Sequence, residues 1–319
     1  MAKSLSEQAK SWLWSIAKIG ESRHELSSKD GPHITSIRAL NNSAYALANA
    51  AKWAGVDRIK HMTPELAREY LNHRKDFLNP QGRHLSQKTL DLDRIALQLS
   101  PSIASSEIDR VMLEQEEREP ELNIEQDTFV PLCEQSRAYT PEQIREIAEH
   151  QNDRNGLATL IAANAGLRAH ELLTLQRGDE SNGPSNTRTW SDERFQGRDG
   201  VLYTTKGKNG LVREVMISRH LSDRLEERRL DEPKDVTDRG VHYSQIYNVA
   251  GGQAWSSSFG RASERIYGWS NGAHGVRHTY AQERLGELQD KEKTFNKSRE
   301  VTSQELGHFR PGITETYLR

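Results

Sequence analysis

Cysteine is almost missing from this chain: Cys133 is the only one in 319 residues. That excludes an internal disulfide and any zinc site built on several thiolates. Long apolar runs are missing as well. The longest, Leu157 to Leu167, is broken by Asn164 and falls short of the roughly 18 residues a membrane span needs. The opening segment MAKSLSEQAKSWLWSIAKIG has no continuous apolar stretch and no small-residue cleavage site, so no secretion signal is expected and the cytoplasm is the expected compartment. Nor is there a large charge of one sign. The net charge is −2, which taken alone argues against nucleic acid as a partner.

The distribution of charge argues otherwise. Residues 1–113 hold 16 Lys and Arg against 12 Asp and Glu, whereas EQEEREPELNIEQ at 114–126 holds six Glu against one Arg. A segment so biased reads as solvated linker, and it masks a mildly basic first domain. With 34% hydrophobic and 28% charged residues, the chain is long enough for two domains, each with its own core.

The first 113 residues read as helices. Ile37, Leu40, Ala44, Leu47 and Ala51 recur at helical spacing, and Leu66, Tyr70 and Leu71 do so again. Thr63-Pro64-Glu65 and Thr140-Pro141-Glu142 are helix starts with Thr as cap and Pro in the first turn. Ser86 opens a further helix carrying Leu90, Ile95 and Leu97. Pro120 and Pro131 break a charged connection over 114–138. The run Leu157–Ala163 is a nearly continuous apolar helix ending at Asn164-Ala165-Gly166. Val201–Thr205 and Val212–Ile217 have strand character and flank Lys206-Gly-Lys-Asn-Gly210, a tight-turn signal. From 219 onward the pattern reads as helical.

Phosphodiester cleavage without a metal needs a nucleophile able to form an ester and fixed cations for the charge on a pentavalent phosphate. Arg suits the second task, since its planar fork matches phosphate oxygens. The leaving oxygen needs a proton donor, and the attacking hydroxyl needs an acceptor. Ala165-Gly-Leu-Arg168-Ala-His-Glu171 supplies one guanidinium, with Glu171 on the same face if the segment is helical. His274-Gly-Val-Arg277 places an imidazole and a guanidinium about one turn apart. Leu306-Gly-His308 precedes Tyr317 by nine residues, and Lys206 and Lys208 lie near the hairpin tip. Singly, each is ordinary: a surface ion pair, a solvated helix face, edge lysines, a glycine-capped helix end. Their order and spacing within one domain are not.

These boxes, AGLRxxEL at 165–172, KNGLVREV at 208–215, HxxR at 274–277 and LGH with Tyr317, resemble the tyrosine recombinase, or phage integrase, family. The resemblance covers residues 138–319 by motif and extends loosely to the helical first domain, which resembles that family's core-binding domain. It implies a mainly α (α+β) fold: a core-type DNA-binding domain over 1–113, an acidic linker over 114–138, and a mostly helical catalytic domain over 139–319 with a small antiparallel sheet. The two domains are expected to clamp a duplex. The implied function is site-specific DNA recombination for a mobile element, by integration or excision, without metal, ATP or other cofactor. Tyr317 would attack the scissile phosphate to leave a 3′-phosphotyrosyl link, and exchange would pass through a Holliday junction. Arg168, Arg277 and His308 would hold the phosphate, and His274 would accept or relay the tyrosine proton. Lys208, with Lys206 as the alternative, would protonate the leaving oxygen. Glu171 would orient the arginines, or else be a plain ion pair.

The implied partners are double-stranded DNA at two sites and further copies of the chain in a tetramer; a directionality factor stays open. Arg74, Lys75, Arg83 and Lys88 are candidate phosphate contacts, or a solvated loop. His170, His242 and His278 read as structural or surface. ELQDKEKTFNKSRE at 287–300 departs from the family's pattern and reads as an exposed helical extension. Only Leu318 and Arg319 follow Tyr317, so coupling of subunits through a tail after the tyrosine is not expected, nor is an arm-binding domain before the first. Two other functions fit part of the pattern: a type IB topoisomerase, and a DNA-binding regulator with an unused site.

Overall fold

The computed structural model describes residues 3–19, 33–78, 82, 84–103, 136–207 and 210–318. The acidic stretch 114–135, Arg83 and Lys208 lie outside the described residues. The chain divides into two compact units, Met1–Leu122 and Asn123–Arg319.

The first unit is helical where it is described. Helix α1 spans Leu5–Ser15 and opens on a capping box in which Ser4 and Glu7 satisfy each other's backbone N–H. Helix α2 (Ile37–Trp53) buries Ile37, Leu40, Ala44, Leu47 and Ala51, the positions whose spacing predicts its inner face. Thr63 and Ser86 cap α3 (Pro64–Asp76) and α4 (Gln87–Gln98) with their hydroxyls. Leu90 and Leu97 turn inward on α4, whereas Ile95 is exposed. Leu13, Leu47, Met62, Ala67 and Leu97 meet in one core.

The second unit is built around one helix. Helix α5 (Pro141–Glu149) starts on a Thr140–Gln143 capping box, and α6 (Asp153–Ala165) starts on the Asn152 side chain. Apolar nearly all round, α6 can only sit in the middle, and it packs against α5, α7 (Arg219–Glu226), α8 (Gly252–Tyr267), α9 (Gly275–Gln289) and strand β3. Leu157, Ile161, Tyr203, Val215, Leu225, Trp255 and Phe259 form the core around it. Strands β1 (Gln176–Arg177), β2 (Val201–Lys206) and β3 (Val212–Ile217) make an antiparallel sheet in that order, with Lys206 opposite Val212. Helices α10 (Phe295–Glu305) and α11 (Pro311–Glu315) complete the unit. No helix among the described residues is long and apolar enough to cross a membrane.

Two sequence expectations are corrected here. The region after 219 is not all helical. Strands β4 (Arg229–Asp238) and β5 (Val241–Tyr247) form a second antiparallel ribbon. Its two-residue turn puts Arg239 at φ 51° and Gly240 at φ 77°, as a tight hairpin requires. Most of β4 is exposed, so it carries no buried alternation to announce it, and Pro233 lies where the register shifts between Arg229 and Lys234. Nor is 287–300 an exposed helix. Helix α9 ends at Gln289, Thr294 caps α10, and Leu288, Phe295 and Ser298 are buried. The buried residues are spaced across a helix–turn–helix corner, which a run of charges between them conceals.

Two glycine substitutions should have opposite signs. A Cβ on Gly156 would lie 2.5 Å from the Ala148 carbonyl oxygen, where α5 and α6 cross, whereas one on Gly286 in α9 meets nothing within 4 Å. Gly156→Ala is expected to destabilise the chain by about 2 kcal/mol, and Gly286→Ala to stabilise it by about 0.5–1 kcal/mol. Denaturant unfolding followed by circular dichroism checks both, and equal shifts would contradict the packing described.

Candidate active site

The C-terminal end of α6 sets the position of everything that follows. Gly166 adopts φ 60° there, and a Cβ would press within 3.0 Å of Tyr280 and Leu306, so only glycine lets the chain turn at this point. Arg168 comes two residues later. Its backbone N–H donates to Glu171 Oε2 at 2.7 Å and its Nη1 donates to Oε1 at 2.7 Å. Glu171 lies in a short 3₁₀ turn, Glu171–Thr174, and has no exposed surface. Arg213 on β3 donates from Nη2 to the same carboxylate at 2.7 Å, and Arg277 Nη1 lies 3.8 Å away. Burial pushes the Glu171 carboxyl up, but the guanidiniums of Arg213, Arg168 and Arg277 outweigh it and hold the group well below the usual carboxylate range. Glu171 is thus no surface ion pair. It is a buried anion shared by three cations.

Arg277, on the first turn of α9, is fully buried. Its Nη1 and Nη2 donate to the carbonyl oxygens of Gly166 and Leu306, and its Nε donates to Tyr317 Oη at 3.2 Å. Burial and the neighbouring Arg168 draw its pKa down to about 9, so the guanidinium stays charged at neutral pH. His308 follows Gly307, whose φ is 71°. Its Nε2 lies 3.1 Å from Arg168 Nη2 and 3.2 Å from Tyr317 Oη. Burial, with Arg277 and Arg168 nearby, lowers the imidazole to about 3, so the ring is neutral. Since a guanidinium can only donate, Nε2 is an acceptor and the ring proton is assigned to Nδ1. The phenolic hydroxyl of Tyr317 then receives from Arg277 and can donate to His308. His274 is less intimate: it lies at the exposed start of α9, its ring 5.6 Å from that of Tyr317.

Arg168, Glu171, Arg277, His308, Tyr317 and His274 are therefore brought together. Lys206 ends β2 with an exposed side chain, and its backbone N–H donates to Thr174 Oγ1 at 3.0 Å. The adjoining Gly207 lies so close that an added Cβ would sit 3.2 Å from Glu171 Oε1. The hairpin thus reaches the site, and the choice between Lys206 and Lys208 is not made by the described residues. In the first unit, Arg74 donates to Asp93 Oδ2 at 2.9 Å in a largely buried pair, whereas Lys88 is exposed.

Sequence reasoning missed two residues here. Arg213 was legible only as part of a strand, yet it is 1% exposed and bonds Glu171, Gly166 and Glu305. The sequence reads His278 as structural or surface. Its ring lies tilted against that of Tyr317, with centroids 4.9 Å apart, and one helical turn on, Gln282 Nε2 donates to the Tyr317 carbonyl at 2.8 Å. The i, i+4, i+8 spacing of His274, His278 and Gln282 was the available signal.

Chemically, three guanidiniums face one carboxylate. The surplus of positive charge, with His308 as a neutral acceptor beside a phenolic hydroxyl, suits the cluster to receive an anion and to take a proton from the phenol.

No protein-family model matches the chain, and no curated protein matches it. Several solved structures do resemble it, two of which are as follows. A λ integrase(75–356) dimer bound to a COC′ core site matches with a TM-score of 0.52 at 14% identity, over 99% of this chain and 94% of that one. The XerH site-specific recombinase bound to difH substrate, a pre-cleavage complex, matches with a TM-score of 0.50 at 17% identity, over 98% and 90%. Both are tyrosine recombinases, and the chain shares their mainly α fold.

Burial of neutral histidines predicts an acid sensitivity. Burial and Arg137 lower His278 to about 4, and His308 is lowered to about 3, against about 6.5 in an unfolded chain. Between these values the unfolded state binds more protons, so this stability is full above about pH 6.5 and drains as pH falls toward 4. The melting temperature is expected to drop by roughly 5 °C or more between pH 7 and pH 5, and by less in His278→Phe. A flat profile would mean that the rings are not buried neutral.

Proposed function

We propose that this chain is a site-specific DNA recombinase that breaks and rejoins a duplex through Tyr317. The observation that carries the reading is the convergence of Arg277 Nε and His308 Nε2 on Tyr317 Oη, each at 3.2 Å, with Arg168 Nη2 behind His308 at 3.1 Å. In support, two structures that share the fold are DNA-bound: the λ integrase fragment on a core site and XerH on difH.

In this mechanism the Tyr317 oxygen attacks phosphorus as its proton passes to His308 Nε2, or by way of His274. Arg168 and Arg277 stabilise the charge on the non-bridging oxygens. The bond to the 5′-oxygen breaks, and that oxygen takes a proton from the hairpin lysine, Lys208 or Lys206. The products are a 3′-phosphotyrosyl ester and a free 5′-hydroxyl. Because the ester conserves the energy of the broken bond, attack by a second 5′-hydroxyl reseals the strand without ATP. Glu171 and Arg213 touch no substrate atom; they fix where Arg168 and Arg277 point. Exchange between two sites calls for a tetramer on DNA and a Holliday junction, in the service of integrating or excising a mobile element. We place the core-type DNA-binding domain at 1–113 and the catalytic domain at 139–319.

The test is covalent trapping. End-labelled duplexes tiled from DNA flanking the gene, nicked so that the 5′-hydroxyl fragment escapes, are incubated with wild-type protein and Tyr317→Phe without divalent metal. A denaturation-resistant adduct is expected with the wild type and none with the variant, a loss of at least about 10³-fold. Equal adducts in both would remove Tyr317 from its role. Sequence-specific binding with no adduct on any duplex would leave a DNA-binding regulator as the better account.

A further inference from the structure

The connection between β1 and β2 takes no part in the chemistry above, yet it touches two of the segments that carry it. At Ser185 it joins the edge of β3: Ser185 N donates to the Val212 carbonyl, and Val212 N donates to Ser185 Oγ, both at 2.9 Å. Val212 is the residue at which the lysine hairpin re-enters the sheet. Five residues on, the Trp190 indole N–H donates back to the Ser185 carbonyl at 2.9 Å. The indole meets Phe309, the residue after His308, in an edge-type contact with ring centroids 4.8 Å apart and planes at 64°. Arg188 lies over Phe309 at 5.1 Å, and Arg194 over Trp190 at 4.5 Å.

The same connection then bonds the last turn of α10. Ser191 N donates to Gln304 Oε1 at 2.7 Å, and Phe195 N donates to Glu305 Oε1 at 2.6 Å. Glu193 pairs with Lys293 at 3.3 Å. His308 itself is tied to α10 through Ser303, which accepts its N–H and donates to its carbonyl, both at 2.7 Å. Those two bonds fix the entry to the turn. Phe309 against Trp190 fixes its exit, and so the direction in which the imidazole faces.

We propose that residues 181–199 form a brace that holds the lysine hairpin and the His308–Tyr317 segment in register, with Trp190 and Phe309 as positioning residues. The brace rests on the reading of the site as a DNA-cleaving centre for its purpose, but not for its existence. A cover for the surface would need neither the ladder at Val212 nor backbone bonds to two consecutive residues of α10. A small displacement of a catalytic group is costly, about 10²-fold for roughly 1 Å, so a device that sets two such groups together is worth its nineteen residues.

The experiment compares wild type, Trp190→Ala, Trp190→Phe and Phe309→Ala as full chains, by hydrogen exchange and by the adduct assay on nicked duplexes. In the two Ala variants, amides over 303–318 and at Val212 are expected to exchange at least about tenfold faster while α5 and α6 keep their protection. Adduct formation is expected to slow by about 10- to 100-fold, with DNA affinity within about twofold of wild type. Trp190→Phe, which keeps a ring on Phe309, should recover most of both. Unchanged exchange over 303–318 in both Ala variants would overturn the brace, as would a loss of adduct that merely follows a loss of DNA affinity. If Trp190→Ala exposes α6 as well, it has unfolded, and the half-buried Phe309→Ala decides. If wild type forms no adduct on any duplex, the functional reading has failed and exchange alone judges the brace.

Discussion

A carboxylate sealed from water dictates the arrangement of the second unit. Glu171 has no exposed surface, and a lone charge in that position would be prohibitive. Three elements therefore end where a guanidinium can reach it: the turn after α6 through Arg168, β3 through Arg213, and α9 through Arg277. The cations then outnumber the anion, and the remainder is met in part by carbonyl oxygens. Gly166 receives from Arg213 and Arg277, Glu305 from Arg213, and Leu306 from Arg277. These carbonyls belong to the C-terminal ends of α6 and α10, the negative poles of both helices. Two helix ends and three cations are thus drawn to one point. A buried ion cluster of this kind is a weak source of net stability, but removing one member leaves an uncompensated charge, so its value lies in fixing one geometry.

The position of His308 and Tyr317 follows from that geometry. Gly307 packs so closely on Arg213 that a Cβ would stand 2.8 Å from its Cδ, which is a physical reason for the Leu-Gly-His sequence at the end of α10. Helix α9 holds the tyrosine from the other side. Arg277 takes the hydroxyl, His278 the ring, Gln282 the carbonyl, and Leu285 packs with Leu318. A second buried pair, Arg284 with Glu305, ties α9 to α10 directly at 2.9 Å, and Tyr280 donates to the same carboxylate at 2.8 Å. Every group that faces the phenolic oxygen is anchored by a partner that does not.

How much of this the sequence disclosed depends on the range of each interaction. Caps, the apolar helix α6 and the β2–β3 hairpin rest on neighbours within a few residues, and each was legible. So were Arg168, Arg277, His308 and Tyr317, because short boxes with definite spacing carry them. Arg213 was not, since its importance comes from Glu171, forty-two residues away. His278 reads as structural or surface because its one local signal, the helical spacing from His274 to Gln282, does not name the ring it meets. The β4–β5 ribbon escaped for the opposite reason: with most of β4 exposed, no periodicity had to be written into it, and only the tight turn at Arg239-Gly240 marks it. The corner at 290–294 was hidden by its charges, although Leu288, Phe295 and Ser298 are as buried as core residues elsewhere.

Recognising a duplex and activating one phosphate are separate physical tasks, and the cluster around Glu171 is suited only to the second. Its charges are buried or nearly so, and Arg277 is fully buried, with Nη1 and Nη2 each donating to a carbonyl oxygen and Nε to Tyr317 Oη. Such a site contributes little to the long-range, salt-sensitive attraction that governs affinity for DNA. The chain as a whole contributes little either: 44 Lys and Arg stand against 46 Asp and Glu. On the proposed reading, affinity would come from local basic surfaces, and the buried cluster would act only on a phosphate already brought to it. That division favours selectivity. A phosphate bound at the surface elsewhere would meet flexible, hydrated lysines, whereas one delivered to Tyr317, as the proposed function has it, would meet guanidiniums held in place by Glu171 and by carbonyl oxygens.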